Sequence, residues 1–409
     1  MANDGEDPGV MSGAAWNAFC DALRRAGDRV LGPDIDASPR MRAEGFRYLT
    51  RFAAAGIVGC MAHDDPEQPV LGRLMDVTMP WGLDNPDCLY LYAPLASDGI
   101  YRIFGDRGTA RHIDLQVNFG HFAEGDVSKW GTIASIDGQG LDTDEHGHFE
   151  LRLGVAGGEG GAGGEDDGVQ TLPLGDDAQF LLVRQYFDDW ESERPADLLI
   201  ERERSPLPAP PPTTRFLGEH LEKLIRWLDR GGLLWENMSR GFVGMEPNSM
   251  IMHRADLAAE RAGLRGQTYG MGNFHCAPGE AVLVEFEVPS CHHFGVALAN
   301  EYWECIEFAT RQSSLNRSQS VIDGDGFFRG VIAHEDPGVP NWLDPAGLER
   351  GTLTVRFLDA EHTPDVRLER VGAGDLLAWL PADTARITPE ARQAALLRRR
   401  RAVYRRYRR

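Results

Sequence analysis

Residues 88–119 read CLYLYAPLASDGIYRIFGDRGTARHIDLQVNF. Three short runs rich in aromatic and β-branched side chains alternate here with turns that contain Gly, Pro and Asp. Runs of this kind, closed by turn residues, are typical of antiparallel strands. HFELRLGV at 148–155 and FLLVRQYF at 180–187 continue the pattern. We therefore predict an antiparallel β-sandwich in this part of the chain.

A second set of strand-like runs follows nearer the C-terminus. The runs are EAVLVEFEVP (280–289), HHFGVALANEYWE (292–304), FFRGVIAH (327–334) and GTLTVRFL (351–358). Segments with helical periodicity precede each set. The predicted fold class is therefore α+β, with two antiparallel β-sandwich-like units and packing helices.

The two strand regions repeat one another at several points. The repeated elements, first region before second, are DEHGHF (144–149) with DGDGFF (323–328), LVR (182–184) with TVR (354–356), and IER (200–202) with LER (368–370). Shared elements in one order indicate an internal duplication. The alternative is two unrelated sandwiches that share common turn chemistry.

Helical periodicity marks the segments around the strands. Trp16, Phe19, Cys20 and Leu23 recur at helical spacing, and a second helix is expected from about 39 to 59. The Pro-rich stretch SPLPAPPPTT predicts a stiff linker and a domain boundary. The predicted divisions are an N-terminal helical segment (1–79), a first β unit (80–204), the linker (205–214), a helical segment (215–262), a second β unit (263–382) and an Arg-rich C-terminal helix (383–409).

The chain is acidic except at its C-terminal end. Its 409 residues include 42 Lys and Arg against 63 Asp and Glu, a net charge of −21. Only Lys129 and Lys223 are lysines, and nine arginines lie between Arg392 and Arg409 with no acid among them. The rest of the chain therefore carries −30, which repels phosphate backbones and argues against a nucleic-acid partner. The tail is expected to be a solvated helix end or to lie on an acidic surface, so a homo-oligomer formed through it is one prediction.

Location and redox state follow from composition. No run of about eighteen apolar residues occurs, and MANDGEDPGVMSG at the start lacks the basic-then-apolar order of a secretory signal. We predict a cytoplasmic protein with no membrane partner. Six cysteines without a CxxC pair favour reduced core thiols.

The loops that differ between the two strand regions indicate where function lies. The first region carries GVAGGEGGAGGEDDG (154–168), whose eight glycines and four acids predict a flexible surface loop. The second carries HEDPGVPNWLD (334–344), which combines His, acids, Asn and Trp with Pro. A Pro-braced loop can hold side chains in fixed positions, whereas a glycine-rich loop cannot. A site is therefore expected in the second half.

This second-half pattern resembles a known family. HEDPGVPNWLDPAG (334–347), followed by TLTVRF (352–357) and preceded by EYWECIEFATRQSSLN (301–316), is similar to the bacterial domain-of-unknown-function family 1214. In that family a segment like HEDPG precedes an Asn-Trp-Leu triplet and a strand with an Arg, here Arg356.

The first half is similar to the N-terminal region of longer members of that family. The segments concerned are DNPDCLYLYAPL (84–95), GIYRIFGDRGTAR (99–111) and VRQYFDDW (183–190). The resemblance covers most of the chain between about residues 80 and 390. It implies a β-sandwich-rich fold with accessory helices, and it implies no reaction.

Aromatic, amide and charged residues between 302 and 342 form the predicted site. Rings cover the apolar faces of a polyhydroxylated or carboxylated ligand, and forked donors fix its orientation. The predicted substrate-binding residues are Tyr302, Trp303, Arg311, Gln312, Asn316, Asn341 and Trp342. His334 is the predicted general base, with Asp336 as its orienting carboxylate or a separate acid. In the structural alternative, Arg311 and Asn316 cap loop backbones and the tryptophans fill the core.

A metal centre is a second interpretation of the same half. The residues concerned are His275, Cys276, Cys291, His292, His293, Glu304 and His334. Adjacent strand residues point to opposite faces, so His292 and His293 cannot both face one ion without a bulge. The spacing matches no zinc motif, and we predict no metal. No phosphate loop, dinucleotide fingerprint or GxSxG elbow occurs, so no cofactor is predicted.

Two functions fit these predictions. The first is an enzyme that acts on a sugar-, lipid- or polyketide-like metabolite by acid/base chemistry in the second β unit. The second is a non-catalytic module that binds carbohydrate or another protein through the same aromatic rings and Arg. Catalysis requires His334 in a cleft beside a perturbed partner, whereas a binding module requires only exposed rings.

Overall fold

The computed structural model describes residues 6–33, 35–154, 168–253 and 264–408. Most of the glycine-rich stretch at 154–168 therefore lies outside the described residues. The chain divides into two compact units. Unit 1 is Met1–Met79, Tyr90–Gln185 and Pro195–Leu234, and unit 2 is Pro80–Leu89, Tyr186–Arg194 and Trp235–Arg409.

The helices at the start of the chain form where the sequence predicts them. They are α1 (Pro8–Met11), α2 (Ala14–Val30) and α3 (Pro39–Ile57). Ser38 caps α3 by accepting a hydrogen bond from Met41 N, and Pro39 occupies the first turn. The buried residues of α2 are Phe19, Ala22, Ala26 and Val30, and Trp16 is exposed.

The helix after the Pro-rich linker, α4 (Thr214–Arg226), belongs to unit 1. It packs against α2, and the helical turn that continues it brings Trp227 against α3. A Cβ at Gly56 would lie 2.5 Å from Trp227 Cδ1, so glycine permits this close approach. Trp227 Nε1 donates to Phe52 O at 2.9 Å. The structure therefore includes α4 in unit 1, whereas the boundary predicted from the sequence lies before α4, at 205–214.

A buried ion pair also joins α4 to the rest of unit 1. Lys223 Nζ donates to both oxygens of Asp64, at 2.7 and 2.8 Å. Asp64 is 6% exposed, and His220 Nε2 donates to its backbone carbonyl at 3.1 Å. Loss of either charged partner would leave the other poorly solvated.

The described residues before the linker form eight strands. They are β1 (Cys88–Pro94), β2 (Tyr101–Asp106), β3 (His112–Phe119), β4 (Gly131–Asp137), β5 (His148–Leu153), β6 (Gln170–Leu172), β7 (Ala178–Tyr186) and β8 (Asp197–Arg202). They form two sheets, with strand orders β1-β7-β3-β4 and β6-β5-β2-β8. Apolar side chains from both sheets, such as Ile103, Leu115 and Val183, form one core.

In the described part of unit 2 lie most of α5 (Gly232–Val243), nine strands and the C-terminal helix α6 (Pro389–Arg406). The strands are β9 (Met250–His253), β10 (Gln267–His275), β11 (Glu280–Glu287), β12 (His293–Ala299), β13 (Ser314–Asn316), β14 (Phe327–Ala333), β15 (Trp342–Leu343), β16 (Arg350–Leu358) and β17 (Arg367–Gly372). Their sheet orders are β13-β12-β16-β10-β9 and β15-β14-β11-β17. The predicted fold class, α+β with two sandwich-like antiparallel units, is confirmed.

The two sets of strands share one order. When β9 is left out, the strands β1 to β8 match β10 to β17 one by one in chain order. Each matched pair also occupies the same position in its sheet. The repeated turns also match, because Asp144 N donates to His148 O and Asp323 N to Phe327 O, both at 2.9 Å. Gly147 and Gly326 both adopt a left-handed backbone, with φ of +86° and +87°. This correspondence is what an internal duplication predicts.

Candidate functional site

A small pocket lies in unit 2 beside the predicted loop at 334–344. About 290 Å³ of empty space lies at this pocket when the solvent at its open mouth is included. Its aliphatic lining consists of Val321, Val331, Val339, Pro340, Leu380 and Ala385. Four polar residues complete it, namely Asp323, Arg329, Asn341 and Thr384. Strand β14, the predicted loop and the connection from β17 to α6 thus all contribute walls.

The groups around Arg329, one of the lining residues, carry excess negative charge. Arg329 binds three carboxylates, with N–O distances of 2.7 Å to Asp325, 2.8 Å to Asp323 and 2.6 Å to Glu285. These hydrogen bonds, that of Asp325 first, raise the pKa of Arg329 above its usual value. One guanidinium among three carboxylates disfavours an anionic ligand. The carboxylated ligands considered from the sequence therefore fit less well than uncharged ones.

Asn341 reaches the pocket but uses its side chain to hold the backbone. Its Oδ1 accepts from Val321 N at 2.9 Å, and its Nδ2 donates to Val321 O at 2.7 Å and Arg329 O at 3.2 Å. Both amide hydrogens are thereby engaged. Asn341 shapes the wall, which differs from the predicted role of binding substrate with its amide.

Three predicted residues gather around Arg392, which the sequence interpretation had not selected. Arg392 Nε donates to Asp336 Oδ2 at 2.9 Å and its Nη1 to Gln312 Oε1 at 2.6 Å. The guanidinium carbon lies 5.3 Å from the centroid of the Trp342 ring. Trp342 Nε1 donates to Ala333 O at 2.8 Å. Asp336 therefore serves as an ion-pair partner of the C-terminal helix, not as the orienting carboxylate of His334.

His334 and Arg311 make separate contacts near this group. The half-buried His334 ring donates from Nε2 to Cys276 O at 2.8 Å. The exposed Arg311 donates to Asp344 Oδ2 at 2.7 Å. The predicted pairing of His334 with Asp336 is not what the structure shows, because each is bound to a different element.

Tyr302 and Trp303 are core residues. Trp303 is 2% exposed and packs against Phe242, with 5.7 Å between ring centroids. Its φ of +60° is rare for a bulky residue, and the same holds for Leu83 at +61°. Leu83 N donates to Trp303 O at 2.8 Å, which joins the two strained residues. Neither predicted aromatic is placed as an exposed platform, since Tyr302 is also buried.

Asn316 belongs to a buried cluster elsewhere in unit 2. Its Nδ2 donates to Asp87 Oδ1 at 2.7 Å and to Asp188 O at 2.9 Å. His293, 1% exposed, lies between the same two acids, 3.2 Å from Asp188 Oδ1 and 3.5 Å from Asp87 Oδ2. Trp190 Nε1 donates to Asp87 Oδ1 at 2.8 Å. We name Asp87, Asp188, His293 and Asn316 the His293 cluster.

The His293 cluster has perturbed protonation equilibria. Burial by itself lowers the pKa of His293, but hydrogen bonds and charges from Asp188 and Asp87 raise it to about 9. Burial opposes ionisation of Asp87, yet bonds with His293 and Asn316 hold its pKa below the usual value. His293 is therefore a cation near neutral pH. The cluster joins three segments of unit 2, and its side chains are buried except that of Asp188, which is 19% exposed.

A second buried acid lies close by in the chain. Asp84 Oδ1 accepts from Cys305 N at 2.8 Å. Burial and, to a smaller extent, the charge of Glu304 raise the pKa of Asp84 to about 7, although the hydrogen bond from Cys305 N lowers it. Asp84 is the first residue of DNPDCLYLYAPL (84–95), but that segment predicts no role for it.

The metal interpretation finds no coordination geometry in the described part of the chain. Among those residues, no group of three His, Cys, Asp or Glu side chains is placed to hold a metal ion. His334 and His293, two members of the proposed set, are bound to Cys276 O and to the two acids.

Arginines seven residues apart attach α6 to unit 2. Arg392, Arg399 and Arg406 are 5%, 9% and 4% exposed. Arg399 lies over the Trp190 ring at 4.4 Å, and Arg406 over the Phe187 ring at 4.4 Å. Burial lowers the pKa of Arg399 to about 9. The predicted Arg-rich tail is thus anchored within its own unit, and other arginines such as Arg400 and Arg401 remain exposed.

Fold and site together define a β-sandwich protein of two units with a small, mostly aliphatic pocket in the second. No family model and no curated protein matches the chain. Among solved structures, it is similar to an uncharacterized protein from Burkholderia cenocepacia, at 27% identity and a TM-score of 0.82, over 90% of this chain and 99% of that one. The VPA0106 protein from Vibrio parahaemolyticus is similar at 11% identity and a TM-score of 0.46, over 79% of this chain and 98% of that one. Neither description names an activity.

No helix in the described ranges has the length and apolar character needed to cross a membrane.

Proposed function

We propose that unit 2 binds a small uncharged molecule in the pocket between residues 339–341 and 380–385. The observation that carries this proposal is the pocket itself, which combines aliphatic walls with a few polar groups. The space of about 290 Å³ at this site includes open solvent, so a ligand would lie against the walls with its other side in water. We therefore propose a ligand no larger than a monosaccharide, with one apolar face that covers the aliphatic walls.

Local charge supports an uncharged ligand. Arg329 is fully engaged with Glu285, Asp323 and Asp325, so it offers little to a carboxylate. An incoming anion would also meet the excess of acidic charge around it. Hydroxyl groups can exchange hydrogen bonds with Asp323 and Thr384 without this repulsion.

The non-catalytic interpretation fits the predicted acid/base residues better than the enzymatic one. His334 Nε2 donates to a backbone carbonyl, and Asp336 is bound to Arg392. The contact of His334 leaves Nδ1 able to accept a proton, but a general base must reach its substrate, and neither His334 nor Asp336 lines the pocket. The enzyme acting on a sugar-, lipid- or polyketide-like metabolite therefore stays a prediction, and the binding module is our proposal.

Titration calorimetry with a panel of uncharged monosaccharides, D-glucose, D-galactose, D-mannose and D-xylose, tests this proposal. D-glucuronate serves as the charged counterpart of D-glucose and is expected to bind at least about tenfold more weakly. Ala385→Phe places a ring at the pocket rim and should abolish binding. Ala382→Phe is the matched control, because Ala382 is an exposed alanine of the same segment outside the lining. Equal binding to both variants would reject the pocket.

Three further proposals rest on the sequence. We propose that the chain belongs to domain-of-unknown-function family 1214, on the residue patterns given above, and that it is cytoplasmic. We also propose that exposed arginines of α6, such as Arg400 and Arg401, support self-association on acidic surfaces. Sedimentation at low and high salt tests the last point, because screening should dissociate such an assembly.

A further inference from the structure

Arg392 connects the C-terminal helix to the loop that forms one wall of the pocket. Its Nη1 donates to Pro340 O at 3.2 Å and its Nη2 donates to Val339 O. Val339 and Pro340 both line the pocket. A single buried guanidinium therefore holds two successive carbonyls of this wall.

Gln312 reinforces the same wall from the other side of Arg392. Its Oε1 accepts from Arg392 Nη1, and its Nε2 donates to Pro340 O at 2.8 Å and Trp342 O at 2.6 Å. Asp336 completes the arrangement, since Oδ2 accepts from Arg392 and Oδ1 accepts from Gly338 N at 2.9 Å. Arg392 thus contacts the loop directly at Asp336, Val339 and Pro340, and its partner Gln312 adds bonds to Pro340 and Trp342.

The opposite wall is the chain segment that leads into the helix. Leu380, Thr384 and Ala385 line the pocket only a few residues before α6 begins at Pro389. Ile387 N donates to Gly338 O at 3.0 Å, which ties this segment to the loop. Since Arg392 lies in the first turn after Thr388 caps the helix, the seating of α6 fixes both walls together.

Burial leaves α6 dependent on its arginines for attachment. The buried residues of its inner face are Arg392, Arg399, Ala402, Val403 and Arg406, so only two of them are apolar. Such a face gains little from the hydrophobic effect and relies on hydrogen bonds and ring contacts. The geometry around Arg392 is therefore the decisive contact at the pocket end of the helix.

We propose that Arg392 is a positioning residue for the pocket, so that ligand affinity depends on the seating of the first turn of α6 against residues 336–342. This inference rests on the proposed function for its ligand part, whereas the coupling of the two walls can be tested without ligand. Arg392→Lys keeps the charge but cannot reach Asp336, Gln312, Val339 and Pro340 at once, because lysine has a single nitrogen. Arg399→Lys is the matched control, since Arg399 is equally buried on the same helix but bonds to Phe308 O, Gln319 and Ser314 away from the pocket.

Hydrogen exchange of the full-length variants measures the coupling directly. In Arg392→Lys, exchange should become at least about tenfold faster both in 336–342 and in 380–387, with the rest of unit 2 unchanged. Arg399→Lys should leave those two segments as they are in the wild type. Unchanged exchange at both segments in Arg392→Lys, or equal acceleration throughout unit 2, would overturn the proposal.

Affinity supplies a readout that a merely structural role would not move. We would titrate wild type, Arg392→Lys and Arg399→Lys with D-glucose, D-galactose, D-mannose and D-xylose. Any sugar that binds wild type should bind Arg392→Lys at least about tenfold more weakly. Its affinity for Arg399→Lys should lie within about twofold of the wild-type value. Equal loss in both variants would show that only stability matters. If no sugar binds wild type, the proposed function fails, while the exchange experiment still decides whether Arg392 joins the two walls.

Discussion

The stability of unit 2 should fall at alkaline pH because His293 loses its proton. The pKa of His293 is raised to about 9 by Asp188 and Asp87 in spite of burial. A raised folded-state pKa means that the stabilising contribution is fully present below about pH 6.5, the unfolded value, and is lost as the pH rises through about 9. His293 is 1% exposed, so solvent screens its two ion pairs weakly.

The size of the effect follows from that difference in pKa. A rise from about 6.5 to about 9 corresponds to about 3 kcal/mol of unfolding free energy, which should disappear between pH 6 and pH 10. Other groups also titrate in this range, so the informative quantity is the difference between wild type and His293→Gln. This difference should shrink by about 3 kcal/mol between the two pH values.

Urea unfolding followed by circular dichroism at several pH values provides the measurement. The transition that His293→Gln shifts identifies unit 2, and His146→Gln, at a largely exposed histidine, is the control that should show no such dependence. A gap between wild type and His293→Gln that stays constant within about 0.5 kcal/mol from pH 6 to pH 10 would refute the assignment of His293 as a buried cation.

Three further variants test packing, ion pairing and the role of His334. Gly56→Ala should lower the unfolding free energy of unit 1 by about 2 kcal/mol, because its Cβ would lie 2.5 Å from Trp227. Gly27→Ala is the control, and it should leave stability unchanged or raise it, because the nearest neighbour of its Cβ is 4.0 Å away. Equal effects of the two substitutions in chemical denaturation would contradict this packing. Asp64→Asn should lower the unfolding free energy by about 3 kcal/mol, because Lys223 loses its buried partner. Asp229→Asn, which breaks the exposed pair with Arg25, should lower it by less than about 1 kcal/mol. The reverse order would show that the Asp64 pair does not stabilise the fold. His334→Ala should lower stability by about 1 kcal/mol through loss of one hydrogen bond and leave sugar affinity within about twofold; abolished turnover of a substrate would restore the acid/base prediction.

Local sequence patterns were sufficient for the fold. The alternation and turn residues between 88 and 119 predict strands that form, and the paired turns at 144–149 and 323–328 occupy equivalent positions in one strand order. The helix predicted from Trp16, Phe19, Cys20 and Leu23 forms, although Trp16 is exposed, because periodicity alone does not show how far the buried stripe extends.

The site was harder to predict because its parts are distant in the sequence. The loop at 334–344 does border a pocket, but the opposite wall comes from 380–385, which carries no motif. Asp87 and Asp188 were missed because only folding brings them to His293.

The spacing of the arginines in the C-terminal tail also predicts part of the structure. Arg392, Arg399 and Arg406 recur every seven residues, which places them on one face of a helix. Net charge alone predicts that the whole tail is solvated or associates with an acidic surface. The spacing separates its buried arginines from its exposed ones.

The structure of crystals soaked in an uncharged monosaccharide that binds in solution is the most direct test of the proposed function. Our account predicts ligand density between Val331 and Leu380, in contact with the wall at Val339 and Pro340, and an empty pocket in the Ala385→Phe variant. Ligand bound beside His334 or at another surface, with this pocket empty in the wild type, would contradict it.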